Sequence, residues 1–67
     1  MPSTVIRNFT YEPVQRWLDV TFVSGLQYRY HDVPEALHLR LQRSFSKGRF
    51  FNTHIRDHFR HTRTEGP

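Results

Sequence analysis

The stretch Leu26-Gln27-Tyr28-Arg29-Tyr30-His31-Asp32-Val33-Pro34 divides this chain into two unlike halves. Leu26, Tyr28 and Tyr30 alternate with Gln27, Arg29 and His31, the period-two pattern of a half-buried strand. Asp32-Val33-Pro34-Glu35 then ends it. Proline lacks an amide hydrogen and has a fixed φ, so it is tolerated in a helix only in the first turn. Asp32 is placed to accept hydrogen bonds near the helix start, and Glu35 complements the positive end of the helix dipole. Sheet is expected before this boundary and helix after it.

Upstream, Ser3 to Tyr11 is β-prone, but both of its faces carry apolar groups and its register stays open. Glu12-Pro13 marks a turn. Leu18, Val20 and Phe22 alternate with Trp17, Asp19 and Thr21, and Ser24-Gly25 supplies a tight connection. These two strands form a hairpin with Leu18, Val20 and Phe22 on the face of Leu26, Tyr28 and Tyr30. Downstream, Leu37, Leu41, Ser44 and Phe45 fall in one helical arc that should face the sheet, with Leu39 nearly opposite. Ser46-Lys47-Gly48 interrupts the helix, with Gly48 suited to a left-handed terminator. A second helix carries Phe51, Ile55 and Phe59 along one face. The expected fold is α+β: a three-stranded antiparallel β-meander followed by two C-terminal helices packed on one face.

Sixty-seven residues make a single domain, with a core from about 3 to 60 and a frayed tail over 61–67. A chain this short buries only about 60% of its unfolded surface. It has no cysteine, which removes disulfides, thiol catalysis and cysteine-ligated zinc together. Dense aromatic packing and self-association remain as ways to stabilise it; six Phe, three Tyr and one Trp suit the first. No apolar run approaches the roughly 20 residues of a membrane span, and no basic-then-apolar leader opens the chain, so a cytoplasmic location with no membrane partner is expected.

The residues in order also resemble a known family. Ser3, Ile6, Phe9 and Tyr11-Glu12, then Leu18-x-Val20-x-Phe22, Gly25, Tyr28-x-Tyr30, Val33-Pro34 and Ser46-x-Gly48-x-Phe50-Phe51-Asn52-x-x-Ile55-Arg56 are similar to the KTSC domain. That family is named for the C-terminal extension of some lysyl-tRNA synthetases and also occurs as small bacterial and phage proteins. Its hallmark Tyr-x-Tyr is matched by Tyr28 and Tyr30, and the likeness runs from about residue 3 to 59. Thr10 stands where glycine is usual, Ser44 where alanine is usual and Phe59 where tyrosine is common. The resemblance implies an RNA-binding role.

The charge pattern points the same way. Net charge is +4, and residues 34–67 supply the whole excess, with seven Lys or Arg against three acidic residues. Nine of the ten basic residues are Arg, whose fork suits phosphate oxygens. Arg40, Arg43, Lys47, Arg49, Arg56, Arg60 and Arg63 are opposed between Arg40 and Arg63 by Asp57 alone. If the second segment stays helical, Arg49, Arg56, Arg60 and Arg63 share one face and His54, His58 and His61 another. A solvated basic surface accounts for the same residues.

Tyr28-Arg29-Tyr30 could be a base-stacking platform, but Tyr28 and Tyr30 share the parity of Leu26, so they read as core with Phe51 and Ile55. Trp17 beside Arg29 and His31 is the better stacking candidate on the open sheet face. The Ser46–Arg49 junction could expose amides to a phosphate, although helix termination alone explains its glycine. Asn52 reads as a structural hydrogen-bonder there. His54-x-x-x-His58-x-x-His61 with Asp57 has metal-ligand spacing, yet surface histidines on an Arg-rich helix are the much commoner explanation, and no metal or other cofactor is assigned. No nucleophile–base–acid constellation and no paired carboxylates are placed by motif.

The expected function is therefore a small non-catalytic module that binds RNA or another anionic partner. Arg40, Arg43, Lys47, Arg49, Arg56 and Arg60 would carry it, with Arg29 and Trp17 on the sheet. A different class is a protein-interaction or self-associating module that buries Trp17 and Leu39. A third is a binder of small phosphorylated ligands at Gly48.

Overall fold

The computed structural model describes residues 6–64. The elements run β1 (Ile6–Glu12), β2 (Trp17–Phe22), β3 (Gln27–Tyr30), α1 (Glu35–Arg43), α2 (Lys47–His54) and β4 (His61–Arg63). The architecture is α+β, as the pattern predicts: an antiparallel sheet in the order β1-β2-β3-β4 with both helices on one face.

The hairpin follows from its residues. Leu18 pairs with Tyr30 and Val20 with Tyr28, so all four share the helix-covered face. Gly25 turns the chain at φ +99°, its amide donating to the Phe22 carbonyl at 2.8 Å while Phe22 donates to Leu26 at 2.9 Å. In β1, Phe9 and Tyr11 pair opposite Val20 and Leu18, and an irregularity between Ile6 and Asn8 breaks the register. That bulge is the physical form of the strand's poor alternation. Ser3, Thr4 and Val5 lie outside the described residues.

The β3-to-α1 boundary falls where expected, by a different device. Asp32 does not cap the helix; it takes a left-handed φ of +59°, which a short polar side chain tolerates better than most. Pro34 is the N-cap residue, and its carbonyl accepts from the amides of Leu37 and His38. α1 ends at Arg43, where the Ser44 hydroxyl and amide both donate to the Leu41 carbonyl. Leu41 is fully buried, but Phe45, beyond the helix end, is thrown entirely into solvent instead of facing the sheet.

Gly48 does not terminate a helix. It lies in the first turn of α2, which Ser46 caps by accepting from the Arg49 amide at 3.4 Å. α2 stops at His54, shorter than the apolar spacing suggests. Ile55 leaves helical geometry, and the amides of Ile55 and Arg56 both reach the Phe51 carbonyl at 2.9 Å. Phe51 and Ile55 are fully buried, and Phe59 still packs against the core from the turn that follows. The side chain of Asn52 does not behave as the structural bonder expected of it. Its Oδ1 is buried without a hydrogen-bond partner in the described residues, and nothing in the structure explains why.

Residues 61–63 are strand, not tail. His61 pairs with Tyr30 and Arg63 with Tyr28, and the ladder is flanked by His31 donating to Arg60 at 2.8 Å and Thr64 donating to Gln27 at 3.0 Å. The open edge of β3 supplies the unpaired backbone groups that this segment satisfies. Residues 65–67 lie outside the described residues. The core gathers Leu18, Val20 and Tyr30 from the sheet, Val33 from the connection, Leu41 from α1, and Phe51 and Ile55 at the end of α2. No helix among the described residues is long and apolar enough to cross a membrane.

Candidate functional site

The residues expected to form one basic helical face are divided, because α2 ends before Arg56. Arg40 and Arg43 occupy the last turn of α1, and Lys47 and Arg49 the first turn of α2, so these four gather at the α1–α2 corner. Phe45, missed as a surface residue, projects from that corner wholly exposed. It shares a shallow hollow of about 330 Å³ with Arg49, Phe50, Thr53 and His54. Two of the corner's cations are positioned by local contacts. The Arg40 guanidinium lies 5.3 Å from the Phe50 ring centroid, and Lys47 Nζ donates to the Ser44 carbonyl at 3.0 Å. A helix ending at Arg43 with a new one at Lys47 leaves three residues to turn the corner, too few to tuck Phe45 beneath.

Arg29 and Trp17 lie on the opposite, uncovered sheet face, as parity predicts. There Arg29 forks onto Asp19 through Nε at 2.9 Å and Nη2 at 3.1 Å, while its guanidinium sits 3.8 Å over the Trp17 ring. One face of the indole and both carboxylate oxygens are thereby occupied within the sheet.

Arg56 is drawn to a third place, a cleft of about 410 Å³ between the β2–β3 hairpin, the end of α2 and β4. Tyr28 and Tyr30 line it, so the hallmark pair is only partly core: Tyr30 is buried, Tyr28 half-buried. Phe22, Phe51 and His61 complete its ring walls, and Ser24, Arg56 and Asp57 supply polar groups. His61 packs on both tyrosines, at 5.2 Å edge-on to Tyr28 and 5.0 Å to Tyr30. Burial pushes the Tyr30 phenol up to about 12, and neighbouring Tyr28 adds to the effect. Its hydroxyl therefore stays protonated at neutral pH and can donate as well as accept. Arg60 immediately precedes β4, and its carbonyl accepts from the His31 amide at 2.8 Å.

The three histidines do not converge. His54 packs on Phe50 at 4.4 Å, His58 contacts the Thr53 carbonyl at 3.1 Å, and His61 belongs to β4. Among the described residues no group of three or more His, Cys, Asp or Glu is placed to hold a metal ion. The helix break that scatters the arginines scatters these as well.

The comparisons with known proteins agree with the architecture. The chain is 36% identical over 66 residues to an uncharacterised protein of Stutzerimonas stutzeri (strain A1501), covering 97% of this chain and 93% of that one. It is 37% identical over 58 residues to a lysine–tRNA ligase of Nostoc punctiforme (strain ATCC 29133 / PCC 73102), but the match spans only 10% of that enzyme. Its fold superposes on the crystal structure of a KTSC domain protein from Yersinia pestis with a TM-score of 0.87 at 31% identity, covering 97% and 94% of the two chains. The KTSC family model matches residues 2–59, and the chain belongs to the KTSC domain family.

Proposed function

We propose that this chain is a small non-catalytic binding module of the cytoplasm that takes single-stranded RNA at the α1–α2 corner. The observation that carries the reading is Phe45, wholly exposed between Arg43 on one side and Lys47 and Arg49 on the other. A phenylalanine held in water gains nothing for the fold, whereas an exposed ring offers every unpaired base a stacking surface. Adjacent guanidinium and ammonium groups supply phosphate contacts. The lysine–tRNA ligase among its relatives acts, by its name, on an RNA. Arg56 and Arg60 lie outside this corner and are not needed for the reading, and Arg29 and Trp17 are left to the sheet.

The test is fluorescence anisotropy with a labelled single-stranded RNA at low and moderate salt. Four phosphate contacts give a slope of log K against log salt of about −2.8, since each single-strand contact contributes about −0.7. Arg43→Ala with Arg49→Ala is expected to flatten that slope by about 1.4. Phe45→Ala is expected to lose about 1–3 kcal/mol with the slope unchanged. Absence of binding at low salt would sink the reading. A mass that rises with concentration and is reversed by Phe45→Ala would assign the corner to self-association instead.

A further inference from the structure

We propose that the cleft formed by Tyr28, Tyr30, Phe22, His61, Arg56 and Asp57 is a separate binding site for a single nucleotide, with purines preferred. It shares no lining residue with the hollow beside Phe45, so it stands or falls independently of the corner. Its volume of about 410 Å³ falls within the roughly 300–1,000 Å³ of small-molecule sites. The composition is also that of a ligand site: a wall of rings with a few polar groups converging on it.

The cleft's position explains why it is not filled. The seven core residues pack between the sheet and the helices. At the hairpin end, however, α2 stops at His54, and β4 arrives along β3 only from His61. The turn between them contributes Arg56 and Asp57 to the lining, and Tyr28 stays half-buried. A planar base laid against that ring wall buries apolar area on both partners, and a purine covers more of it than a pyrimidine. Asp57 supplies carboxylate acceptors for ring N–H and amino groups. The Ser24, Tyr28 and Tyr30 hydroxyls can both donate and accept. Arg56, beside Asp57, is the cation at the mouth and suits the phosphate. The nucleotide can be free or the terminal residue of a strand; the chemistry that recognises it is the same.

The experiment is an amide-resolved NMR titration of the full chain with guanosine 5′-monophosphate, guanosine, inorganic phosphate, uridine 5′-monophosphate and a short RNA ending in guanosine monophosphate. Saturable shifts from the guanine nucleotide are expected at residues 24–30 and 55–63, with guanosine or phosphate alone about tenfold weaker. The uridine nucleotide should bind less tightly than the guanine one. Asp57→Asn and Arg56→Gln change exposed side chains, so the spectrum should keep its dispersion while affinity falls about tenfold in each. Shifts at the same amides by the free nucleotide alone, or more tightly by the RNA end, both support the site and identify the source. No saturable shift at low-millimolar nucleotide, or shifts that phosphate reproduces in full, would overturn it. So would wild-type affinity in both variants, or shifts confined to the Phe45 corner.

Discussion

Tyr11 ties β1 to two other parts of the fold with one side chain. Its ring stacks on His38 of α1, with centroids 4.6 Å apart and planes 10° from parallel. Its hydroxyl donates to the carbonyl of Val33, a residue with no exposed surface. Tyr11→Phe keeps the stack and orphans that acceptor, and an unsatisfied buried acceptor costs about 1–3 kcal/mol. The urea midpoint of Tyr11→Phe is therefore expected to fall with no change in slope. An unchanged midpoint would show that water replaces the hydroxyl. Tyr30 makes a second prediction at this scale. Its folded phenol titrates at about 12, raised above the ordinary value near 10 chiefly by burial. Between those two values the unfolded chain has released a proton that the folded one retains. Stability is thus intact below pH 10 and declines as pH rises from 10 toward 12. Absorbance at the tyrosinate band, followed alongside circular dichroism, should show one tyrosine ionising late and together with unfolding. Tyr30→Phe should remove that coupling.

Among the elements, the β2–β3 hairpin was the most legible in the sequence. Alternation, Ser24-Gly25 and the Tyr-x-Tyr pair agreed on one register, and Gly25 takes the positive φ that the turn requires. A Cβ on Gly25 would meet nothing within 4 Å, so Gly25→Ala should cost only the backbone term, about 1–2 kcal/mol. A thermal melt measures it; a larger loss would mean that the turn sets register as well. The β3-to-α1 boundary was legible because proline limits what can follow, although the role of Asp32 was not. The end of α2 was hidden for a different reason. Phe51, Ile55 and Phe59 fit a helical period and do all pack on the core, but Phe59 reaches it from a turn. Periodicity reports burial, and two backbone paths can bury the same residues. β4 left no pattern at all, since His61, Thr62 and Arg63 are all exposed and the strand exists because β3 offers an open edge. The consequences reached the candidate sites. One predicted basic face became a corner and a cleft, and Phe45, assigned to the core by a helical arc, lies beyond the helix that would have carried it.

For the whole molecule, stability rests on few residues, and its phenylalanines show how unequally. Phe51 has no exposed surface and meets Phe22 at 5.6 Å and Tyr30 at 5.2 Å, joining α2 to β2 and β3. Phe45 is fully exposed only six positions away in the chain. A domain of this size with no cysteine to form a disulfide rarely draws more than about 3–5 kcal/mol of stability from its hydrophobic core. Truncating a buried phenylalanine costs about 3–5 kcal/mol, because the cavity cannot be refilled by a core this small. Phe51→Ala is therefore expected to abolish the cooperative thermal transition near room temperature. Phe45→Ala should leave the midpoint within a few degrees, as exposed substitutions fall within about 0.5 kcal/mol. Paired melts by circular dichroism decide the matter. A cooperative melt for Phe51→Ala close to the parent would mean that stability comes from outside the single chain, and its midpoint should then climb with protein concentration. A large loss in Phe45→Ala would mean that this ring is covered in solution, and it would move the corner from an RNA surface to an interface between copies.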